Sequence, residues 1–203
     1  MELIEKLAQY FEKFPGIGRR QSKRFVYFLL NSNSNYLKGL VDSISALKEN
    51  INQCQDCYLY HNSQELICEI CSSEKTDKSI LMIVEKDIDY ENIKKSNTFS
   101  GQYFILGGLV FINSKNITEK VRIKELLKRI NQKIKNDNLQ EIIIALSLTS
   151  QGDQTDAFLR KNLKTLQEKY NFKVSSLGRG LSTGTELEYS DNETLQNALK
   201  NRS

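Results

Sequence analysis

Tryptophan is absent from this 203-residue chain, proline and histidine occur once each, and cysteine only four times. Each scarcity closes off a class of chemistry. The one histidine, His61, lies between the cysteines, and all four cysteines are paired at metal-ligand spacing, so there is no Ser/His/Asp or Cys/His nucleophilic set to propose. No apolar run approaches the roughly 20 residues of a membrane-spanning helix, so no membrane partner is expected. The opening "MELIEKLAQYFEKF" is charged and amphipathic, where a secretory leader has an uninterrupted apolar centre; the expected compartment is the cytoplasm. A strong excess of one charge is also missing: the net charge is +4. That surplus does not identify a polyanionic partner, so the placement of the positive charge matters more than its sum.

What is present divides at the cysteines. Before them, Leu3, Ile4, Leu7, Ala8, Phe11 and Phe14 recur at helical spacing, as do Phe25, Val26, Phe28 and Leu29, and then Leu37, Leu40, Val41, Ile44, Leu47 and Ile51. After them the pattern changes to short β-branched runs, "SILMIVE" (79–85), "YFILGG" (103–108), "EIIIALS" (141–147) and "FKVSSLG" (172–178). Helical stretches stand between most of these, clearest at "RIKELLKRINQKIK" and "TDAFLRKNLKTLQEKY". This alternation predicts a parallel sheet with crossover helices. Asn/Ser stretches at 31–35 and 113–116 read as loops.

The only proline lies in "FPGIGRRQSKRF" (14–25). A helix is expected to end near Phe14, Pro-Gly-Ile-Gly to turn, and a second helix to begin near Arg19. Read as a helix-hairpin-helix, the turn offers backbone N–H groups at Gly16 and Gly18 and a helix N-terminus to a phosphate oxygen. Arg19, Arg20, Lys23 and Arg24 follow at once, with Arg20 and Arg24 four apart on one face. Those features favour a nucleic-acid backbone read without sequence preference. An ordinary helical corner with a solvated basic face has the same local signature.

The cysteines give the sharpest signal. Cys54, Cys57, Cys68 and Cys71 form two C-x2-C pairs separated by ten residues. That is the spacing of a closed, four-sulfur structural zinc site, one ion acting as a staple with no position left for substrate. A pair of redox dithiols is the main rival reading, with metal-free structural cysteines beside it. His61, between the pairs, reads as a loop residue and not a ligand. Further on, Glu85 ends the first predicted strand, and Asp153 in "SQGDQTD" follows a later one. Both can reach the carboxyl edge of a parallel sheet, where ligands of such sheets sit, and two carboxylates there can hold Mg²⁺. Alternatively Glu85 pairs locally and Asp153 simply starts a helix.

The order of parts, hairpin, cysteine module and a sheet domain opening on a strand that ends in Glu85, resembles the RecR recombination mediators of bacteria over nearly the full length. The matching stretches are "FPGIGRRQSKRF", both C-x2-C pairs, "KSILMIVEKDIDYENIKKS", "GQYFILGG", "LLKRI", "EIIIAL", "GDQT" and "GRGLSTGTELEYSDNETLQNALKNR". The resemblance implies a multi-part chain of α+β and α/β character: a helical DNA-binding region (1–53), a zinc module (54–77), a Toprim domain (78–170) and a C-terminal strand and helix (171–203). It further implies a non-catalytic DNA-binding protein of recombinational repair. Such a protein would act with RecO, and in some systems RecF, to help load RecA on single-stranded DNA. It would assemble as a dimer or tetramer ring around single- or double-stranded DNA. Arg20 and Arg24, helped by Arg19 and Lys23, would line the hole, and Glu85 and Asp153 would belong to a partner-docking surface.

Departures accompany the resemblance. The family usually has His-Gly where this chain has Gly107-Gly108, and Asn and Glu near Ser147 and Gln151; "GLSTGTELEY" lacks a frequent proline. Catalytic Toprim enzymes carry an Asp-x-Asp pair that "ALSLTSQGD" does not. Two other functions compete: a Mg²⁺-dependent Toprim nuclease or primase built on Glu85 and Asp153, and a zinc-stapled adaptor that binds only proteins.

Overall fold

The amphipathic patterns resolve into the elements of a computed structural model that describes residues 2–110, 121–178, 181, 184, 186–190 and 192–200. The expected loop at 113–116, and parts of the C-terminal stretch from Arg179, lie outside the described residues. Contacts divide the chain into two compact units, Met1–Ile51 and Asn52–Ser203.

The first unit is helical. Helices α1 (Glu2–Phe11) and α2 (Arg19–Leu30) pack through the buried Ala8 and Val26, whose small side chains let the backbones approach. The Phe11 ring meets Phe14 and Phe25 edge to face, with centroids 5.8 and 5.6 Å apart. Helix α1 stops at Phe11 and not at Phe14. The reason is local: Pro15 disfavours helical geometry for the residue before it, and the chain tightens through Lys13 N–H to Tyr10 O and Phe14 N–H to Phe11 O. Helix α3 (Ser34–Asn50) starts at Asn33, whose side chain caps Tyr36 N–H, and buries no residue fully.

In the second unit, a short antiparallel pair, β1 (Asn52–Gln53) and β2 (Tyr60–His61), and one helical turn, α4 (Glu69–Ser72), carry the cysteines. Then come β3 (Asp77–Val84), α5 (Asp87–Ser96), β4 (Gly101–Ile105), α6 (Ile123–Asn136), β5 (Glu141–Ala145), α7 (Ser150–Tyr170), β6 (Lys173–Ser176) and α8 (Asn192–Lys200). All four long-range strands run parallel in the order β4-β3-β5-β6, so the sheet continues past residue 170.

Strand β3 is central, and its near-continuous apolar run "ILMIV" follows from burial on both faces. Alternate residues point to different cores. Leu81 and Ile83 pack with Phe104, Leu126, Ile130, Leu159 and Leu163, the α6 and α7 side. Met82 and Val84 pack with Tyr90, Tyr103, Ile105 and all four cysteines, the α5 side. The cysteine module thus replaces a second full helical layer. It also wraps the free edge of β4: Ile105 N–H donates to Cys57 O at 2.8 Å, and the Tyr58 ring meets Phe104 on the opposite face. An open strand edge is a liability, and this one is covered.

Candidate nucleic-acid and metal sites

The hairpin turn explains the lone proline. Ile17 N–H donates to Phe14 O at 3.1 Å across Pro15-Gly16, and Gly16 has φ +75°. Proline at the second position and glycine with positive φ at the third are what a type II turn requires. Gly18 plays a different part. It is the N-cap of α2, extended at φ −90° and ψ 172°, and supplies no side-chain cap. A Cβ there would meet nothing within 4 Å, so space does not demand glycine at this position; lacking a side-chain cap, it leaves the first N–H groups of α2 open to an outside acceptor.

The four cations after the turn are not equivalent. Arg19, Arg20 and Arg24 are exposed, and among the described residues none of them makes an ion pair. Arg24 donates only to Gln21 at 3.3 Å. Lys23 is half-buried and paired with Glu5 at 2.6 Å, which holds the Glu5 carboxyl below its ordinary value through that hydrogen bond. Ser22, fully buried, bonds Arg19 O within α2 (2.9 Å) and reaches back to Glu12, just past α1, at 3.3 Å. The exposed arginines therefore stand on a braced frame beside the open helix N-terminus.

Cys54, Cys57, Cys68 and Cys71 converge with all Sγ atoms within 4.8 Å of one another, every one buried. Thiolates at about 2.3 Å around a tetrahedral ion would stand about 3.8 Å apart, so the cluster has the size of a closed metal site. Among the described residues it is the one group of three or more His, Cys, Asp or Glu able to share an ion. The thiols polarise one another. Hydrogen bonds from Cys57, Cys68 and Cys71 pull Cys54 far down, while bonding to Cys54 pushes Cys57 and Cys71 far up. Bonding to Cys54 works against the Cys68 thiolate, but bonds to Cys57 and Cys71 outweigh it and bring Cys68 down to about 7, so two of the four thiols are lowered and two raised. Cys68 N–H also donates to Cys54 Sγ at 3.3 Å. His61 belongs to strand β2, not to a loop, and its Nδ1 lies 3.0 Å from Ser63 Oγ, apart from the four sulfurs.

At the carboxyl edge of the sheet the chain leaves β3 for β4 on one side and later returns to β5 on the other. The crevice between β3 and β5 is the switch point where such sheets place ligands. Here that crevice is occupied by the protein's own groups. Glu85 is only 4 % exposed; Lys86 Nζ lies 2.7 Å from its Oε1, and Ser147 Oγ donates to Oε2. Burial works against its charge, but the Lys86 and Ser147 bonds outweigh that cost and hold the carboxyl below its ordinary value. Asp153 is exposed in the first turn of α7, which is capped by Thr149 accepting from Gly152 N–H. Glu85 thus sits at the predicted edge, its two oxygens satisfied, and Asp153 at the predicted helix start.

Sequence spacing does not reveal the Ser147–Glu85 bond across a separation of 62 residues. Topology does, since both follow strands that are neighbours in the sheet. Gly152 is another such residue: a Cβ there would stand 1.8 Å from Ser147 O, so only glycine lets α7 start against this loop.

Comparison with known proteins agrees with this layout. The Toprim domain family matches residues 79–177, and the C-terminal region of RecR matches 180–203. The recombination protein RecR of Brachyspira hyodysenteriae is 33 % identical over 202 residues, covering 100 % of this chain and 96 % of that protein. RecR of Amoebophilus asiaticus is 35 % identical over 202 residues, and that of Chloroherpeton thalassium 32 % over 200, each again with 96 % of the relative covered. With similarity of this depth running from the hairpin to the last helix, the chain belongs to the RecR family of recombination proteins.

Proposed function

We propose that this protein is a DNA-binding mediator of recombinational repair that holds DNA without transforming it. The observation that carries the reading is the hairpin: an uncapped helix N-terminus beside the exposed, unpaired Arg20 and Arg24. Such a surface suits phosphates of any sequence. Arg19 shares that surface; Lys23, committed to Glu5, is a brace first and a contact second.

The rest of the assignment is supported in the same way. Four buried thiols with the size and donor set of a tetrahedral site support one structural zinc ion. Glu85 has a lysine ammonium on one oxygen and a hydroxyl on the other, and among the described residues no group of three or more His, Cys, Asp or Glu gathers around it, which argues against nuclease or primase chemistry at this edge. The same edge, with exposed Ile88, Leu148 and Leu177, suits docking of protein partners, RecO and RecF by family, in loading RecA on single-stranded DNA. Val41, Ile44 and Leu47 lie exposed on α3 and give a second copy an apolar surface to cover, in keeping with a dimer or tetramer ring. A ring would join several weak hairpin sites on one strand and raise their combined affinity.

The test is DNA binding by wild type and Arg20→Ala/Arg24→Ala over a salt series, with complex mass followed by light scattering. The expected result is a DNA-bound oligomer whose affinity falls for all sequences in the variant, with a salt slope shallower by about 1.5 for two lost phosphate contacts. Unchanged binding by the variant would remove the hairpin from the interface. A monomer that takes up no DNA would favour the protein-only adaptor.

A further inference from the structure

Four thiolates around a divalent ion leave a formal charge of about −2. All four cysteines are buried, so water cannot neutralise that charge and nearby protein groups must. The compensating groups lie on α6, far from the cysteines in sequence. Arg122, the N-cap of α6, Arg129 and Lys133 are spaced by seven and four residues and share one face of the helix.

Each reaches the cysteine module or the strand it wraps. Arg129 Nη1 pairs with Asp56 at 2.9 Å, and Asp56 sits inside the first C-x2-C pair. Arg129 Nη2 also reaches Gln102 Oε1 at 3.4 Å, and the same oxygen accepts from Lys133 Nζ at 2.6 Å. On its other side, Gln102 Nε2 reaches Cys71 O, in the second pair, at 3.4 Å. Lys133 is completely buried and also bonds Lys78 O at 2.6 Å and Asp137 at 3.2 Å. Arg122 Nη1 donates to Ile105 O at 2.9 Å, and its guanidinium stands 4.8 Å from the ring centre of Tyr58, the residue after Cys57. These cations also face carboxylates, Asp56 and Asp137 by direct bonds, and Lys133 senses the charge at Cys71 as well.

A buried lysine and glutamine are poor choices for filling space. Desolvating an ammonium costs several kcal/mol, whereas leucine at 133 and 102 would carry no such penalty. Burial indeed pushes the Lys133 ammonium down, with Asp137 opposing it. The network has one arm on each cysteine pair, and that is where its specificity is spent.

We propose that Gln102 and Arg129, held by Lys133, are positioning residues of the cysteine site, locking the two C-x2-C pairs in register and offsetting their charge. Zinc affinity is then set by β4 and α6 as well as by the cysteine pairs. Outer-shell groups of this kind are typically worth 10- to 100-fold in metal affinity.

The inference rests on the reading of the cysteines as a zinc site, and the test separates the two. Metal content and thiol reactivity of the full-length wild type come first. A protein that holds no zinc, with four reactive thiols, overturns the zinc reading itself. With zinc present, transfer to a chromophoric chelator is measured for Gln102→Leu, Arg129→Met and, as a control on the exposed side of α6, Lys124→Met. The first two are expected to bind zinc at least 10-fold more weakly and expose their thiols sooner, with the control unchanged. Because Gln102→Leu alters a buried position, a double-mutant cycle of Asp56→Asn and Arg129→Gln, both partly exposed, provides a second route. Losses that are less than additive in zinc affinity support the network. Wild-type affinity and thiol protection in the variants, or strict additivity of the pair, overturn it.

Discussion

Glu85 shows how one residue can keep a site's position while changing its use. A carboxylate at a sheet's switch point is poised for a cation, yet here Lys86 and Ser147 satisfy it from within. The consequence is a pH-dependent stability term. The folded pKa of Glu85 is depressed below the ordinary 4.5, so its contribution is present above that value and is lost as pH falls through the folded pKa. Lys86 is mostly exposed, and solvent screening limits the pair to about 0.5–1 kcal/mol. Lys86→Met should therefore lower stability by about that amount at pH 7, measured by urea unfolding. The difference from wild type should shrink as pH falls through the depressed folded pKa of Glu85, where the carboxyl becomes protonated in both proteins. A difference that persists unchanged at low pH would mean the lysine acts through packing and not through Glu85.

Secondary structure was legible where periodicity reports burial. Strand β3 reads as doubly buried from "ILMIV", and α6 as amphipathic from its spacing, because both patterns follow directly from which faces meet the core. The proline-glycine turn was legible for the same reason, each residue type being demanded by one backbone angle. The wrap of the cysteine module around β4 was not, since it depends on one backbone bond between Ile105 and Cys57 and on Tyr58, held at φ 65°, reaching Phe104. Nor was the turn between β5 and α7. There the loop carbonyl of Ser147 lies where a side chain at 152 would begin, so Gly152→Ala forces backbone apart. Alanine's helix propensity favours the substitution by about 1 kcal/mol, but overpacking against a backbone oxygen costs more. The expected net effect is destabilisation of about 2 kcal/mol, read as a lower urea midpoint with unchanged slope. A neutral or stabilised variant would show that the loop can move away freely.

For the unit Asn52–Ser203 as a whole, the cysteine module serves as one of the walls of the core, packed on Met82, Val84, Tyr103 and Ile105. Binding of structural zinc is worth roughly 10–16 kcal/mol in small zinc modules. That equals or exceeds the entire stability of a typical domain, about 5–15 kcal/mol, so the proposed zinc reading predicts that metal loss is felt beyond the cysteines. The most exposed consequence is at β4, whose free edge is covered by Cys57. On chelation, the Ile105 amide, which donates to Cys57 O at 2.8 Å, should lose hydrogen-exchange protection first. Amides of β5, which lies between β3 and β6, should lose theirs later. The Ser22 amide, bonded to Gly18 O at 3.0 Å inside the separate helical unit, should keep its protection throughout. This order distinguishes a staple from an ornament. If Ile105 stayed protected after the metal was gone, the module would hold to the sheet by packing alone, and the ion would be stabilising only its own loop.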